Sequence, residues 1–176
     1  MDELTFIEDS SLRKTLENSI EYIYALYERS KETEQSSVFQ EETCRVIILY
    51  VVSAIEAVLL YFYKVRGEKI EYPEYRFVHN LPKEFQYLGK AGRVVVAVQE
   101  KVQKRDHQIG LHDLVTFFKD GQLIQAETAA DILQLNDVRN TFHLSKPRGE
   151  ACNVERVEFA LKILIRTLER APRLSR

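Results

Sequence analysis

A chain of 176 residues, with 45% hydrophobic and 30% charged side chains, can bury a substantial core without disulfides or metals. A disordered or disulfide-stapled protein is therefore excluded. The formal net charge of -2 and the pI of about 6.1 exclude a generic nucleic-acid coat protein, which needs a basic excess, but they allow a local anion site. The length favours one domain over residues 1–176.

The two cysteines and the N-terminus bear on the cellular compartment. Cys44 lies in an apolar helical pattern and Cys152 in a predicted loop, and their spacing fits neither a disulfide framework nor a metal site. The acidic start MDELTFIEDSS lacks the basic residues and apolar run of a signal peptide. These features indicate a cytoplasmic protein without a metal or other cofactor.

A first helix is predicted to begin after Asp9-Ser10-Ser11, whose side chains can accept hydrogen bonds from a helix start, and to run to about Glu32. Apolar residues recur along it every three or four positions, which is the spacing of one helix face: Leu12, Leu16, Ile20, Ile23 and Tyr27. That face should pack against the rest of the protein.

A second helix is predicted from about Val38 through Arg66, with Ser36-Ser37 as its cap and Gly67 as its end. Residues 46–63 are almost wholly apolar, close to the roughly 17–20 residues that span a membrane. Glu56 near the middle of this run favours a core helix, buried on most sides, over a membrane span.

The next segment changes its period and predicts a β-hairpin of about 74–87 and 93–104. Apolar and aromatic residues fall at nearly every second position in the first strand, and β-branched residues are dense in the second. Pro82 indicates an edge position, and Gly89 and Gly92 suit the turn. A helix over 93–104 is the competing interpretation.

Three further helices are predicted after the hairpin. The first is a short helix with inward residues from Leu111 to Phe118, and Gly121 fits its C-terminal cap. The next helix runs from Ala126 to His143, with inward residues Ile132, Leu135, Val138 and Phe142. The last helix begins after Asn153 and stops at Pro172, and its inward residues are Val154, Val157, Leu161, Leu164 and Leu168. The fold class is therefore mainly α, an antiparallel bundle of four to five helices with a β-hairpin insertion.

The candidate site lies at the end of the fourth helix, in the run LQLNDVRNTFHLSKP. If the helix continued through His143, Arg139 and His143 would lie about 40° apart on one face. An Arg, a polar amide at Asn140 and a His can together contact one phosphodiester or nucleotide. His143 could act as acid or base on a ribose hydroxyl, Arg139 could hold the phosphate, and Asn140 could position either group.

This helical pattern with Arg-Asn and a His late in the domain resembles the HEPN superfamily. HEPN ribonucleases carry Arg, a polar residue and then His, with four to six residues between Arg and His, whereas three separate Arg139 from His143. Leu144 also stands where related sequences often have Pro. The resemblance implies a HEPN-like bundle, a metal-independent ribonuclease of toxin or defence type, and an antitoxin as a possible partner.

A structural role is the alternative for the same residues. Arg139 would then pair with Asp137 or with an inward carboxylate such as Glu56, and Asn140 would cap a helix end. The rival function is accordingly a non-catalytic dimeric module for protein interactions.

Basic residues elsewhere are candidate contacts to nucleic acid. Lys146 and Arg148 follow the motif, and Arg166 and Arg170, with Arg173, form a basic stripe on the last helix that could meet phosphate or simply be solvated. His107 and His112 are spaced too loosely for a zinc motif. Hairpin aromatics could stack on bases, although packing is the simpler role: Tyr72, Tyr75, Phe77, Phe85 and Tyr87.

Assembly is predicted from surplus apolar surface. The last helix carries Phe159, Ile163 and Ile165 beside its inward stripe, which exceeds what a four-helix core needs. HEPN domains commonly pair, so we expect a homodimer with His143 near a shared cleft.

Overall fold

A computed structural model describes residues 4–32, 36–80, 95–142 and 151–174, with the backbone alone at 79, 80 and 95. The chain forms two compact units. One comprises residues 1–68 and 110–176 and holds the helices, and the other comprises residues 69–109 and holds the hairpin. The predicted class, a mainly helical bundle with a β-hairpin insertion, is confirmed.

The helical unit is built around α2, Ser37–Arg66, which contacts α1 (Ser10–Ser30), α3 (Leu111–Asp120), α4 (Ala126–Asn140) and α5 (Val154–Arg170). Its buried side chains face several directions, among them Ile47, Ile48, Val51, Ile55, Val58, Leu59 and Phe62. Each large apolar side chain that is buried stabilises the fold by about 1.5–3 kcal/mol. The prediction of a central core helix is confirmed.

The apolar run in α2 is long enough to cross a membrane, with a mean hydropathy of 2.2, and 56% of it is buried inside the protein. Packing by neighbouring helices accounts for the buried part of this run, whereas Leu49 and Tyr50 are 37% and 41% exposed.

Hydrogen bonds between helices define their directions. Tyr61 Oη near the end of α2 accepts from the Glu8 N–H just before α1, and Gln40 near the start of α2 donates to the Ser30 carbonyl at the end of α1. These two helices are therefore antiparallel. Arg170 late in α5 bonds Gln125 just before α4, so α4 and α5 are also antiparallel.

The helix ends follow the local sequence. Asp9 caps α1 through bonds to the N–H groups of Ser11 and Leu12, Ser36 caps α2, and Asn153 caps α5. Gly67 ends α2 in the left-handed conformation. Pro172 lies in a short 3₁₀ helix, Ala171–Arg173, that follows α5.

In the second unit, β1 (Glu71–Asn80) pairs antiparallel with β2 (Val95–Gln103). Tyr75 lies opposite Gln99, and an irregularity separates Phe77 from His79. The strand at 95–103 overturns the competing helix for 93–104, because closely spaced β-branched residues favour a pleated surface. The predicted turn and Pro82, Phe85 and Tyr87 lie outside the described residues.

One boundary prediction was wrong. The fourth helix ends at Asn140, not at His143, because the chain tightens there: the N–H groups of Thr141 and Phe142 bond carbonyls three residues back, and the Thr141 hydroxyl donates to the Val138 carbonyl at 2.7 Å. The described part of α4 therefore ends three residues before His143, and His143 itself lies outside the described residues.

The left-handed end of α2 gives a testable prediction. Gly67 has φ 68°, and a side chain there would meet no atom of the described residues within 4 Å, so strain alone opposes substitution. We expect Gly67→Ala to lower the free energy of unfolding by about 1 kcal/mol, measured by urea denaturation.

Gly110→Ala is the matched control. This glycine is equally open to a Cβ among the described residues, but its φ is -102°. Gly110 is the N-cap of α3, where alanine is a poorer cap than glycine, so the free energy of unfolding should fall by about 0.5 kcal/mol, less than in Gly67→Ala. Equal losses in the two variants would contradict the conformational explanation.

Candidate functional site

The side chain of Arg139, in the last turn of α4, reaches across to the central helix. Its Nη1 lies 3.0 Å from Glu56 Oε2, and the two side chains are 26% and 30% exposed. Of the two partners that the sequence suggested, the structure selects Glu56. Glu56 interrupts the apolar run of α2 where the end of α4 packs against it, so the ion pair joins two sequence-distant elements.

The pair holds Arg139 without using all of its hydrogen-bonding capacity. A guanidinium carries five N–H donors, and the bond to Glu56 uses one on Nη1. A quarter of the side chain remains in contact with solvent. Arg139 can therefore contact an anion while Glu56 fixes its position, although the carboxylate also neutralises much of its charge.

Asn140 is half-buried and is the last residue of α4. The predicted alternative, that Asn140 caps the helix end, is wrong. Thr141 is the C-cap, and its hydroxyl donates a hydrogen bond to the Val138 carbonyl. Asn140 thus lies beside Arg139 without a capping role. His143, Lys146 and Arg148 fall outside the described residues.

A second arginine, Arg45, lies near the start of α2, and sequence reasoning missed it. Its side chain is only 8% exposed, it is paired with Glu41, and its Nε lies 3.9 Å from Glu42 Oε1. The Arg45 guanidinium carbon is 5.3 Å from the centroid of the Phe142 ring. The signal was present in the sequence, since Glu41 and Glu42 precede Arg45 at helix spacing, just before the apolar run.

These contacts show how the end of α4 is oriented. Phe142 lies against Arg45 in the first third of α2, whereas Arg139 meets Glu56, three turns later in α2. Helices α2 and α4 are therefore antiparallel, and the turn after α4 leads toward the start of α2.

Two buried polar atoms in this part of the molecule have no hydrogen-bond partner among the described residues: Arg45 Nε and Asn136 Oδ1. Asn136 lies one turn before Arg139 and Asn140 on α4. Buried polar atoms are seldom left without partners, so Arg45 Nε and Asn136 Oδ1 are candidates for contacts with water or a ligand.

Both cysteines are buried thiols rather than reactive ones. Burial raises the pKa of Cys152 to about 12, with a contribution from nearby Cys44 that the Arg45 guanidinium partly offsets. Burial likewise raises the pKa of Cys44. Thiolates are the reactive form, so neither side chain is poised for nucleophilic or metal chemistry. Among the described residues, no group of three or more His, Cys, Asp or Glu could hold a metal ion.

The predicted basic stripe does not join Arg139. Arg166 Nη1 lies 3.4 Å from Asp131 Oδ2, and Arg170 Nη2 lies 2.8 Å from Gln125 Oε1. Asp131 is eight residues before Arg139 on α4, which is about 12 Å along the helix. Arg170 lies farther away, beside the start of α4.

The two isoleucines predicted to extend the apolar surface of α5 differ in exposure. Ile163 is fully buried within its own chain, so its predicted place on an outer face was wrong, whereas Ile165 is 55% exposed. Residues two apart on a helix point about 200° apart, which explains the division. Ile165 borders an apolar groove of about 310 Å³ between α1 and α5, where Tyr24 and Leu161 are among the lining residues.

A scan against protein-family models, a search of curated proteins and a search of solved structures each found no match to this chain.

The Arg139–Glu56 pair gives a prediction for a double-mutant cycle. We expect Glu56→Gln and Arg139→Gln to show a coupling of about 1 kcal/mol in the free energy of unfolding, because both partners are largely shielded from solvent. The control cycle, Asp131→Asn with Arg166→Gln, should give less than about 0.5 kcal/mol, since Arg166 is 50% exposed. Equal couplings would show that Glu56 does not position Arg139.

The buried thiols give a second prediction. At pH 8 we expect native protein to resist iodoacetamide and guanidinium-unfolded protein to be labelled at both cysteines, as read by mass spectrometry. Because the pKa of Cys152 is raised in the folded state, the stability this thiol contributes is present below about pH 8.5 and is lost as the pH rises toward 12. Rapid labelling of native protein would contradict the burial of the thiols.

Proposed function

We propose that this chain is a cytoplasmic, HEPN-like module directed at RNA or a nucleotide, and that it cleaves RNA without a metal ion. The observation that supports the proposal is the placement of Arg139. Glu56 fixes this arginine at the end of α4, immediately before Asn140 and the run that leads to His143.

Each residue has a defined role in this proposal. Arg139 holds the scissile phosphate with its remaining donors and stabilises the charge that grows on its oxygens. His143 takes the proton from the attacking ribose 2′-hydroxyl or gives one to the leaving oxygen, and Asn140 positions a hydroxyl or the imidazole. Glu56 is a positioning residue, because it orders the arginine before the substrate arrives.

We further propose that two copies pair, so that two sets of Arg139 and His143 share one cleft. A toxin or defence role, with an antitoxin as partner, belongs to the same proposal. Pairing would add the cations of both copies in one place, which is useful because Glu56 and Glu41 each neutralise an arginine in this part of the bundle.

A second candidate function is a non-catalytic module for protein interactions. It is favoured by the groove between α1 and α5, where Tyr24 is 65% and Ile165 is 55% exposed. Exposed apolar surface of this kind is typical of interaction sites. The neutralising Glu56 carboxylate also suits this function, because a structural ion pair needs no substrate.

The test is cleavage of single-stranded RNA by purified protein in the presence of EDTA. We expect activity, and a loss of about 10²-fold in Arg139→Gln, because one charged contact to the transition state is removed. His143→Ala should lose about 10²-fold or more, as expected for a missing general acid or base.

Arg166→Gln is the control, since it removes the same charge from the pair with Asp131, away from Arg139. It should retain wild-type activity, and circular dichroism should show all variants folded. Undiminished activity in His143→Ala would refute the assigned roles. Inactive wild-type protein that is dimeric by light scattering would favour the interaction module.

A further inference from the structure

A cavity of about 580 Å³ lies at the opposite end of α4 from Arg139. It forms where the turn after α3, the start of α4 and the end of α5 with its 3₁₀ helix come together. Its polar lining residues are Lys119, Gln122, Gln125, Arg170 and Arg173, and Ala126 contributes the first residue of α4. The volume lies within the range of about 300–1,000 Å³ that is common for small-molecule sites.

The charged side chains among the described residues that line this cavity are all cations: Lys119 from α3, Arg170 at the end of α5 and Arg173 in the 3₁₀ helix. Asp120 lies outside this lining and pairs with Lys119 at 3.8 Å, so it partly offsets the charge of that lysine. Glu127 and Glu169 are neighbours in sequence of lining residues but do not line the cavity. Cations brought together from distant parts of the chain into one concavity are typical of an anion site.

Arg170 is oriented by Gln125, the residue at the N-cap position of α4. Gln125 is the N-cap of α4, yet its side chain makes no capping bond and accepts from Arg170 Nη2 at 2.8 Å instead. The first N–H groups of α4 therefore lack a side-chain cap at the cavity wall. Such N–H groups, together with the helix dipole, favour an anion. Orientation of Arg170 by Gln125 reduces the entropy lost when an anion binds.

We propose that this cavity binds a phosphate group, carried by a nucleotide or by an RNA chain. Lys119 and Arg173 supply charge, Arg170 supplies a planar fork that can make two parallel bonds to phosphate oxygens, and the start of α4 supplies backbone donors. Ala126 and Arg139 are thirteen residues apart on α4, which is about 20 Å along the helix. The site is therefore separate from Arg139 and does not depend on cleavage.

Calorimetry on the full chain tests the proposal with four probes: adenosine, adenosine monophosphate, inorganic phosphate, and an RNA oligomer without terminal phosphates. We expect the monophosphate to bind at least tenfold more tightly than adenosine. Binding of inorganic phosphate, competitive with the monophosphate, supports recognition of the group itself. Binding of the oligomer, sensitive to the same variants, assigns backbone phosphate as the source. Failure of the oligomer assigns the nucleotide.

The variants localise the binding. Arg170→Gln combined with Arg173→Gln should weaken the monophosphate at least tenfold. Lys162→Gln, which removes an exposed cation two turns earlier on α5 and outside the cavity lining, should change it less than twofold. Equal weakening by the control would indicate diffuse surface charge and overturn the proposal. So would equal affinities for adenosine and the monophosphate.

A backbone variant keeps the proposal testable if the arginine variants fail to fold. Ala126 is the first residue of α4 and follows Gln125, whose φ of -70° and ψ of 148° are compatible with a following proline. Ala126→Pro removes one N–H at the cavity and leaves every charge in place. We expect the monophosphate to bind about five- to tenfold more weakly. Unchanged binding in this variant would overturn the assignment of the start of α4 to the site.

Discussion

The enclosure of α2 is the constraint on which the helical unit depends. Helices α1, α3, α4 and α5 all pack against its apolar run and bury 56% of it, while Leu49 and Tyr50 remain exposed. Arg45 and Glu56 are charged exceptions within this environment, and a buried charge without a partner would cost several kcal/mol. Glu41 meets the first and Arg139 meets the second. The pairing of Glu56 with Arg139 therefore joins the last turn of α4 to α2.

This arrangement gives the two ends of α4 different electrostatic characters. At the C-terminal end, Arg139 and the neighbouring Arg45 each have a carboxylate partner, so geometry is fixed and net charge is small. At the N-terminal end, Arg170 is held by the uncharged Gln125 and keeps its full charge. An arginine oriented by an amide attracts a phosphate more strongly than one oriented by a carboxylate, because the amide itself adds no negative charge.

Local patterns made most of the fold predictable. Asp9, Ser36, Asn153 and Gly67 act within one helical turn, and β-branched spacing distinguished the strand over 95–103 from a helix. The end of α4 was misplaced because its last turn tightens at Thr141 and Phe142, whereas the apolar spacing in the sequence continues through Phe142 without marking that change. The cavity beside Arg170 could not be found this way, because contacts between distant segments create it. Arg45 carried a local signal in Glu41 and Glu42, which the sequence reasoning did not use. Glu56 was the exception, since a carboxylate within an apolar run requires a partner.

The acidic pI does not weigh against a phosphate site in this molecule. Charges on a protein surface are screened over about 8 Å at physiological ionic strength, so acidic residues on remote faces contribute little to the field inside a cavity. What matters is the sign of the side chains that line it. Among the described residues, three cations and no carboxylate line the cavity beside Arg170, although the chain as a whole has a net charge of -2. Total charge constrains non-specific binding to nucleic acid, whereas a built site is governed by the few groups that converge on it.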